Sequence, residues 1–184
     1  MLPVLKAIAE LLTPPTSPSG LELAWDAVER EIGLALPEDY KAFIDLYGTG
    51  QISSADGWAV IWNFRDSSLS GPSLSQWLNG PNCLPEFYRQ VVNGSEWPCP
   101  YPIYPDPGGL LPFANIIDVD SLNWLTVGPA ERWNVVHYAC DEQEFPRLEG
   151  DSFSRCLLKI LRQEYSYPER PSLEPPFEFT ELDL

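Results

Sequence analysis

Prolines set the limits within which this chain can fold, because each one fixes φ, removes a backbone donor and interrupts regular structure. The 184 residues contain twenty of them, well above the average usage of roughly 5%. Pro98, Pro100, Pro102, Pro105 and Pro107 crowd into a single stretch, and that density excludes an interior helix or strand from Asn93 to Gly109. The stretch therefore reads as a long loop, and long loops in compact domains are often functional. Hydrophobic residues at 44% and aromatic residues at 12% mark the chain around this loop as folded. Its length suits one domain with a substantial core better than two small ones.

Between the prolines the apolar spacing is helical at four places. Leu2 to Leu12 reads as a short helix stopped by Pro14 and Pro15. Leu21, Trp25, Val28 and Ile32 recur at i, i+4, i+7 and i+11 and form one stripe of an amphipathic helix that Gly33 ends. A second helix follows at once. Pro37 suits its first turn, and Glu38 and Asp39 sit where the helix dipole favours negative charge. Tyr40, Phe43, Ile44 and Tyr47 form its buried stripe and Gly48 closes it, so the two helices are expected to pack as a hairpin. Near the C-terminal end, Asp151-Ser152 is expected to cap a helix with the stripe Phe153, Leu157, Ile160, Leu161 and Tyr165. Arg155, Lys159 and Arg162 lie on its outer face, the one basic cluster in the sequence.

The middle of the chain has strand character. Trp58 to Trp62 is one run, with both tryptophans expected in the core. Leu74 to Leu78 and Leu84 to Val92 read as short helices. Leu110–Phe113, Ile116–Val119, Leu122–Val127, Asn134–Tyr138 and Glu144–Leu148 are short runs separated by turn residues, as in an antiparallel meander. The expected fold is therefore α+β, a single domain with helices packed around a central antiparallel β-sheet. The expected organisation is an N-terminal helix and Pro/Ser linker (1–19), an α+β domain (20–167) with the Pro-rich insertion at 93–109, and an acidic Pro-rich tail (168–184) that lies over the surface or moves.

The net charge is −16, from 27 acidic and 11 basic residues. Such a surface repels phosphate backbones and anionic headgroups, so neither nucleic acid nor membrane is an expected direct partner, whereas a basic protein is steered towards it. From Asp66 to Glu131 seven acids face Arg89 alone. Cys83, Cys99, Cys140 and Cys156 form no C-x-x-C pair, which fits reduced thiols and a cytoplasmic setting. The N-terminal residues lack the apolar region and cleavage site of a signal peptide, and no apolar run reaches the roughly 20 residues a membrane span needs.

A search for catalytic equipment finds little. No phosphate-cradling glycine motif and no nucleophile turn is present, and His137 is the one histidine. As a general base it would need a partner; its strand position makes a packed histidine the simpler reading. Asp118 and Asp120, and the acidic turn of Asp141, Glu142 and Glu144, lack metal-loop spacing. They read as turn residues that can serve as anionic contacts to a basic partner. Asp56 belongs with them. Trp97, Tyr101 and Tyr104 of the Pro-rich loop are candidate interface anchors, since aromatic side chains bury much area at little entropic cost. No enzyme activity, metal or cofactor is expected.

The run from Trp25 to Ile44, with Ile32-Gly33 followed by Leu36-Pro37-Glu38-Asp39-Tyr40 and Phe43, resembles the signature of the SUKH superfamily, the Smi/Knr type. Leu111-Pro112-Phe113, the segment Asp118 to Trp124 and Ser152-Phe153 are similar in order, over roughly residues 20 to 165. Val119 stands where the family usually has a glycine, and the Pro-rich insertion and acidic tail depart from its pattern. The resemblance implies a SUKH-like fold in which Gly33, Leu36, Pro37, Asp39, Tyr40 and Phe43 are mainly structural. It also implies a binding role. Bacterial members are largely immunity proteins that neutralise a cognate polymorphic toxin, commonly a nuclease; fungal members regulate cell-wall assembly, which is the alternative reading.

Overall fold

The computed structural model describes residues 2–66, 99–116, 120–139, 147–148, 150–164 and 173–182, the pair 147–148 through its backbone. The expected helices at 74–78 and 84–92 lie outside these residues. Among the described residues, helix α1 is Pro3–Leu11, α2 is Trp25–Ile32, α3 is Glu38–Tyr47 and α4 is Phe153–Leu161. The strands are β1 Gly50–Ser53, β2 Trp58–Ile61, β3 Leu110–Ile116, β4 Asp120–Leu125, β5 Asn134–Tyr138, β6 Arg147–Leu148 and β7 Glu178–Glu181. They make one sheet in the order β6-β5-β4-β3-β2-β1-β7, antiparallel throughout. The fold is α+β, as the alternation of apolar spacings predicts.

The helical stripes meet the sheet in an aromatic core. Tyr40, Phe43, Ile44 and Tyr47 of α3 are fully buried. The Tyr40 ring lies 4.9 Å from Trp124 on β4 and 5.4 Å from Phe153 on α4, and Trp124 stacks on Phe113 of β3 at 4.5 Å. Edge-to-face and offset pairs of this kind add to the burial of area itself. Leu5, Ile8 and Leu12 place the N-terminal helix in the same core, with α1 against α4 and α4 against α3. Each fully buried side chain of this size stabilises the fold by about 1.5–3 kcal/mol.

Polar groups tie the junction between α2 and α3 beside the edge-to-face contact of Trp25 with Tyr40, whose ring centroids lie 5.8 Å apart. Gly33 ends α2 in the left-handed region at φ 73°, its N–H bonded to Glu29 O. Glu29 Oε1 then accepts from Leu36 N–H at 2.9 Å and from Lys41 Nζ at 3.0 Å. Burial works against the Lys41 charge, but the bonds to Glu38 and Glu29 outweigh it and leave its pKa raised. Pro37 takes the capping position just before α3, not a place inside its first turn.

Three strands differ from the sequence reading. The runs at 110–113 and 116–119 are joined, as far as Ile116, in the single strand β3, whose register shifts between Pro112 and Ala114. A proline is tolerated in a strand interior at such an irregularity. Gly50–Ser53, which no apolar run marks in the sequence, is β1. The acidic tail supplies β7, which pairs with β1 from Gly50↔Glu181 to Ser53↔Glu178. Phe179 anchors it, 5.1 Å from the Tyr47 ring, and Leu173 just before it is buried in the core.

Candidate functional site

The sheet has two faces of different character. Ile52, Ala59, Ile61, Leu111, Phe113, Leu122, Trp124 and Val135 turn towards the helices. Alternate residues turn the other way, since neighbouring side chains along a strand point to opposite faces. Over β3, β4 and β5 that second face is covered in part by the Pro-rich loop: Cys99 and Tyr101 pack on Leu110, Leu125 and Val136. Over β7, β1 and β2 its residues are half-buried or exposed.

Register defines this open part. Cross-strand partners share a face, so Ser53 stands between Trp58 and Glu178, and Gln51 between Val60 and Thr180. Val60 continues to Asn115 on β3. Trp58 is thus on the open face rather than in the core, because its neighbours Ala59 and Ile61 alternate with it. Ser54 to Gly57 form the β1–β2 turn, closed by Ser54 N–H to Gly57 O at 2.9 Å, and carry the exposed Asp56. None of β1, β2, β3, β4, β5 and β7 contains a lysine or arginine.

The expected contact residues separate on burial. Asp56 is exposed and Tyr101 half-buried. Tyr104 is 7% exposed, and its hydroxyl donates to Ile32 O at 2.6 Å; it fixes the Pro-rich loop to the end of α2. Asp120 is also inside, at 3% exposure, with Oδ2 3.1 Å from His137 Nε2. Their strands are neighbours and both side chains turn to the helical face, as Leu122↔His137 shows. A buried carboxylate needs such a partner. His137 is therefore a fully buried ionisable residue at 3% exposure, more enclosed than its strand position alone predicts. Trp97, Asp118, Asp141, Glu142 and Glu144 lie outside the described residues.

Among the described acids, a small set works inside the fold. Glu29 holds Lys41, Asp151 holds Lys159 at 2.7 Å, Asp66 accepts from Thr49 Oγ1 at 2.5 Å, Asp120 meets His137, and Asp39 bonds Ser154. Glu10, Asp26, Glu31, Asp56, Glu131, Glu164, Glu174, Glu178 and Glu181 are exposed. The expected basic stripe of α4 is partly spent, since Lys159 is paired while Arg155 and Arg162 are exposed. Arg65, which the sequence reading passed over, binds Leu23 O at 2.6 Å, Leu21 O at 2.7 Å and Asp45 Oδ1 at 2.7 Å, with the Trp25 ring 5.4 Å away. It fastens the segment before α2 to α3. Burial pushes the Cys156 thiol up to about 12, with the Asp151 charge adding to the shift and Lys159 opposing it. A thiol so placed is inert at neutral pH.

Among the described residues no group of three or more His, Cys, Asp or Glu could hold a metal ion, and no helix is long and apolar enough to cross a membrane. A model of the SMI1 / KNR4 family (SUKH-1) matches residues 21–159. No curated protein and no solved structure gives a significant match. The matched residues span α2 to α4 of this fold and end before β7.

Proposed function

The chain belongs to the SMI1 / KNR4 family (SUKH-1), and from that premise we propose that it is an immunity protein, a stoichiometric inhibitor that binds a toxin enzyme of nuclease type. The family comprises immunity proteins and regulators, which act by binding partner proteins. The observation that carries the narrower reading is the use this chain makes of its charge. It holds a net −16, and beyond the few acids bonded inside the fold, the described carboxylates face solvent. A nuclease must attract a phosphate backbone and is basic around its cleft. A protein of opposite charge is steered to that cleft quickly and excludes the substrate by occupying it. Inhibition of this kind needs no turnover, so the reading assigns no catalytic residue, metal or cofactor.

The test is co-expression with the toxin from the neighbouring reading frame. The expected result is restored growth and a complex that copurifies. Continued killing, with no complex, overturns the reading.

A further inference from the structure

Resting on that binding role, we infer that the partner docks on the open face of β7, β1 and β2, and that β7 makes the face particular to this chain. Trp58 supplies a large, half-buried apolar anchor with few rotatable bonds, the kind of residue that dominates interfaces. Val60, Gln51 and Ser53 surround it by register, and Gln51 Nε2 donates to Ser53 Oγ at 3.1 Å, which holds two of these polar groups in place. Asp56 in the β1–β2 turn and Glu178 on the edge strand stand on the rim.

Charge selects the occupant. These three strands carry no lysine or arginine, so among the described residues of β7, β1, β2 and their turn the formal charges beside the aromatic centre are carboxylates. Its complement is a protein surface with an apolar spot ringed by Lys and Arg, as at the rim of a nucleic-acid-binding cleft. The family match ends at residue 159, so the family portion supplies β1 and β2, while Glu178 and Thr180 come from the segment that follows it. Partner choice is therefore written in part on β7: a rim charge there accelerates the right basic partner and repels an acidic one.

The experiment uses the full chain and the toxin domain of the neighbouring reading frame, made inactive by substitution. Hydrogen exchange is compared with and without it, and affinities are measured for Trp58→Ala, Glu178→Lys and, on the helical layer, Glu31→Lys. Binding on the open face protects 50–61 and 178–181, weakens affinity by about thirtyfold or more for Trp58→Ala, and slows association by about tenfold for Glu178→Lys; Glu31→Lys changes either by less than about threefold. Glu178 is exposed at a sheet edge, so its variant folds even if the tryptophan variant does not. A complex whose protection lies elsewhere, with Glu178→Lys behaving as Glu31→Lys does, overturns the docking face and leaves the immunity reading standing. Absence of any complex overturns both.

Discussion

Asp39, in the first turn of α3, caps the start of α4 from 115 residues away: its Oδ2 accepts from Ser154 N–H at 2.9 Å and from Ser154 Oγ–H at 2.7 Å. The first amides of a helix have no partner within it, and the helix dipole favours a negative charge there. Ser152 occupies the capping position without a side-chain bond to the helix amides, so the carboxylate of another helix does what the sequence pattern assigns to Asp151-Ser152. Asp151 instead holds Lys159 on the following turns. The other Asp39 oxygen accepts from Tyr40 N–H at 3.0 Å, so one side chain couples α3 to α4 over the aromatic core.

Asp39→Ala therefore destabilises the protein by about 2 kcal/mol, the upper end for loss of a helix cap, because a charged acceptor is removed. Asp39→Asn, which keeps an acceptor, loses less. Urea unfolding measures both. In a double-mutant cycle with Ser154→Ala the two losses are less than additive, since both remove the Oγ–H bond to Asp39 while Ser154→Ala keeps the amide bond; full additivity contradicts the hydroxyl contact, and an unchanged stability of Asp39→Ala contradicts the cap.

Gly50 is the point where the edge strand closes on the core. A Cβ there would lie 2.5 Å from the Phe179 ring and 2.6 Å from Thr180 O. The ring tip can give way, but the backbone carbonyl cannot without moving β7. Gly50→Ala is expected to cost about 1–3 kcal/mol, as overpacking does, and to strip hydrogen-exchange protection from 178–181 while leaving β4 protected. Unchanged protection at 178–181 contradicts this close approach.

Cys156 makes a pH prediction. Burial pushes its thiol up to about 12 from an ordinary value of 9.0. A group whose pKa is raised on folding contributes stability that is complete below the unfolded value and is lost as pH rises towards the folded one. Wild-type stability therefore falls from about pH 9 to about pH 12 partly through this thiol, and Cys156→Ala falls less steeply over the same window. The burial of Tyr40 and Tyr47 raises their pKa values and acts in the same direction in both proteins, so the difference between the two curves isolates the cysteine. Parallel curves contradict the assignment.

What the sequence disclosed followed the strength of its periodicity. The stripe Tyr40, Phe43, Ile44 and Tyr47 repeats over a whole helix and is buried as read. Strands β1 and β7 each have one large apolar residue facing the helices, Ile52 and Phe179, which is too little to stand out among Gly, Ser, Thr and Glu. The side a strand residue faces depends on register, and so the sequence pattern alone puts Trp58 in the core and Asp120 in a turn, where the fold does the reverse. The sequence pattern marks Tyr104 as an interface anchor, whereas the fold buries its ring and spends its hydroxyl on the carbonyl of Ile32, 72 positions away. Asp39 belongs to the same class: the motif was visible, and its purpose required the fold.

The most direct test of the binding role is to titrate the cognate toxin domain's nuclease activity with the purified chain. A stoichiometric inhibitor gives a linear loss of activity ending at a fixed molar ratio, with association that slows steeply as salt is added, since Coulomb steering is screened. Activity that persists at large molar excess of the chain, in low salt, contradicts it.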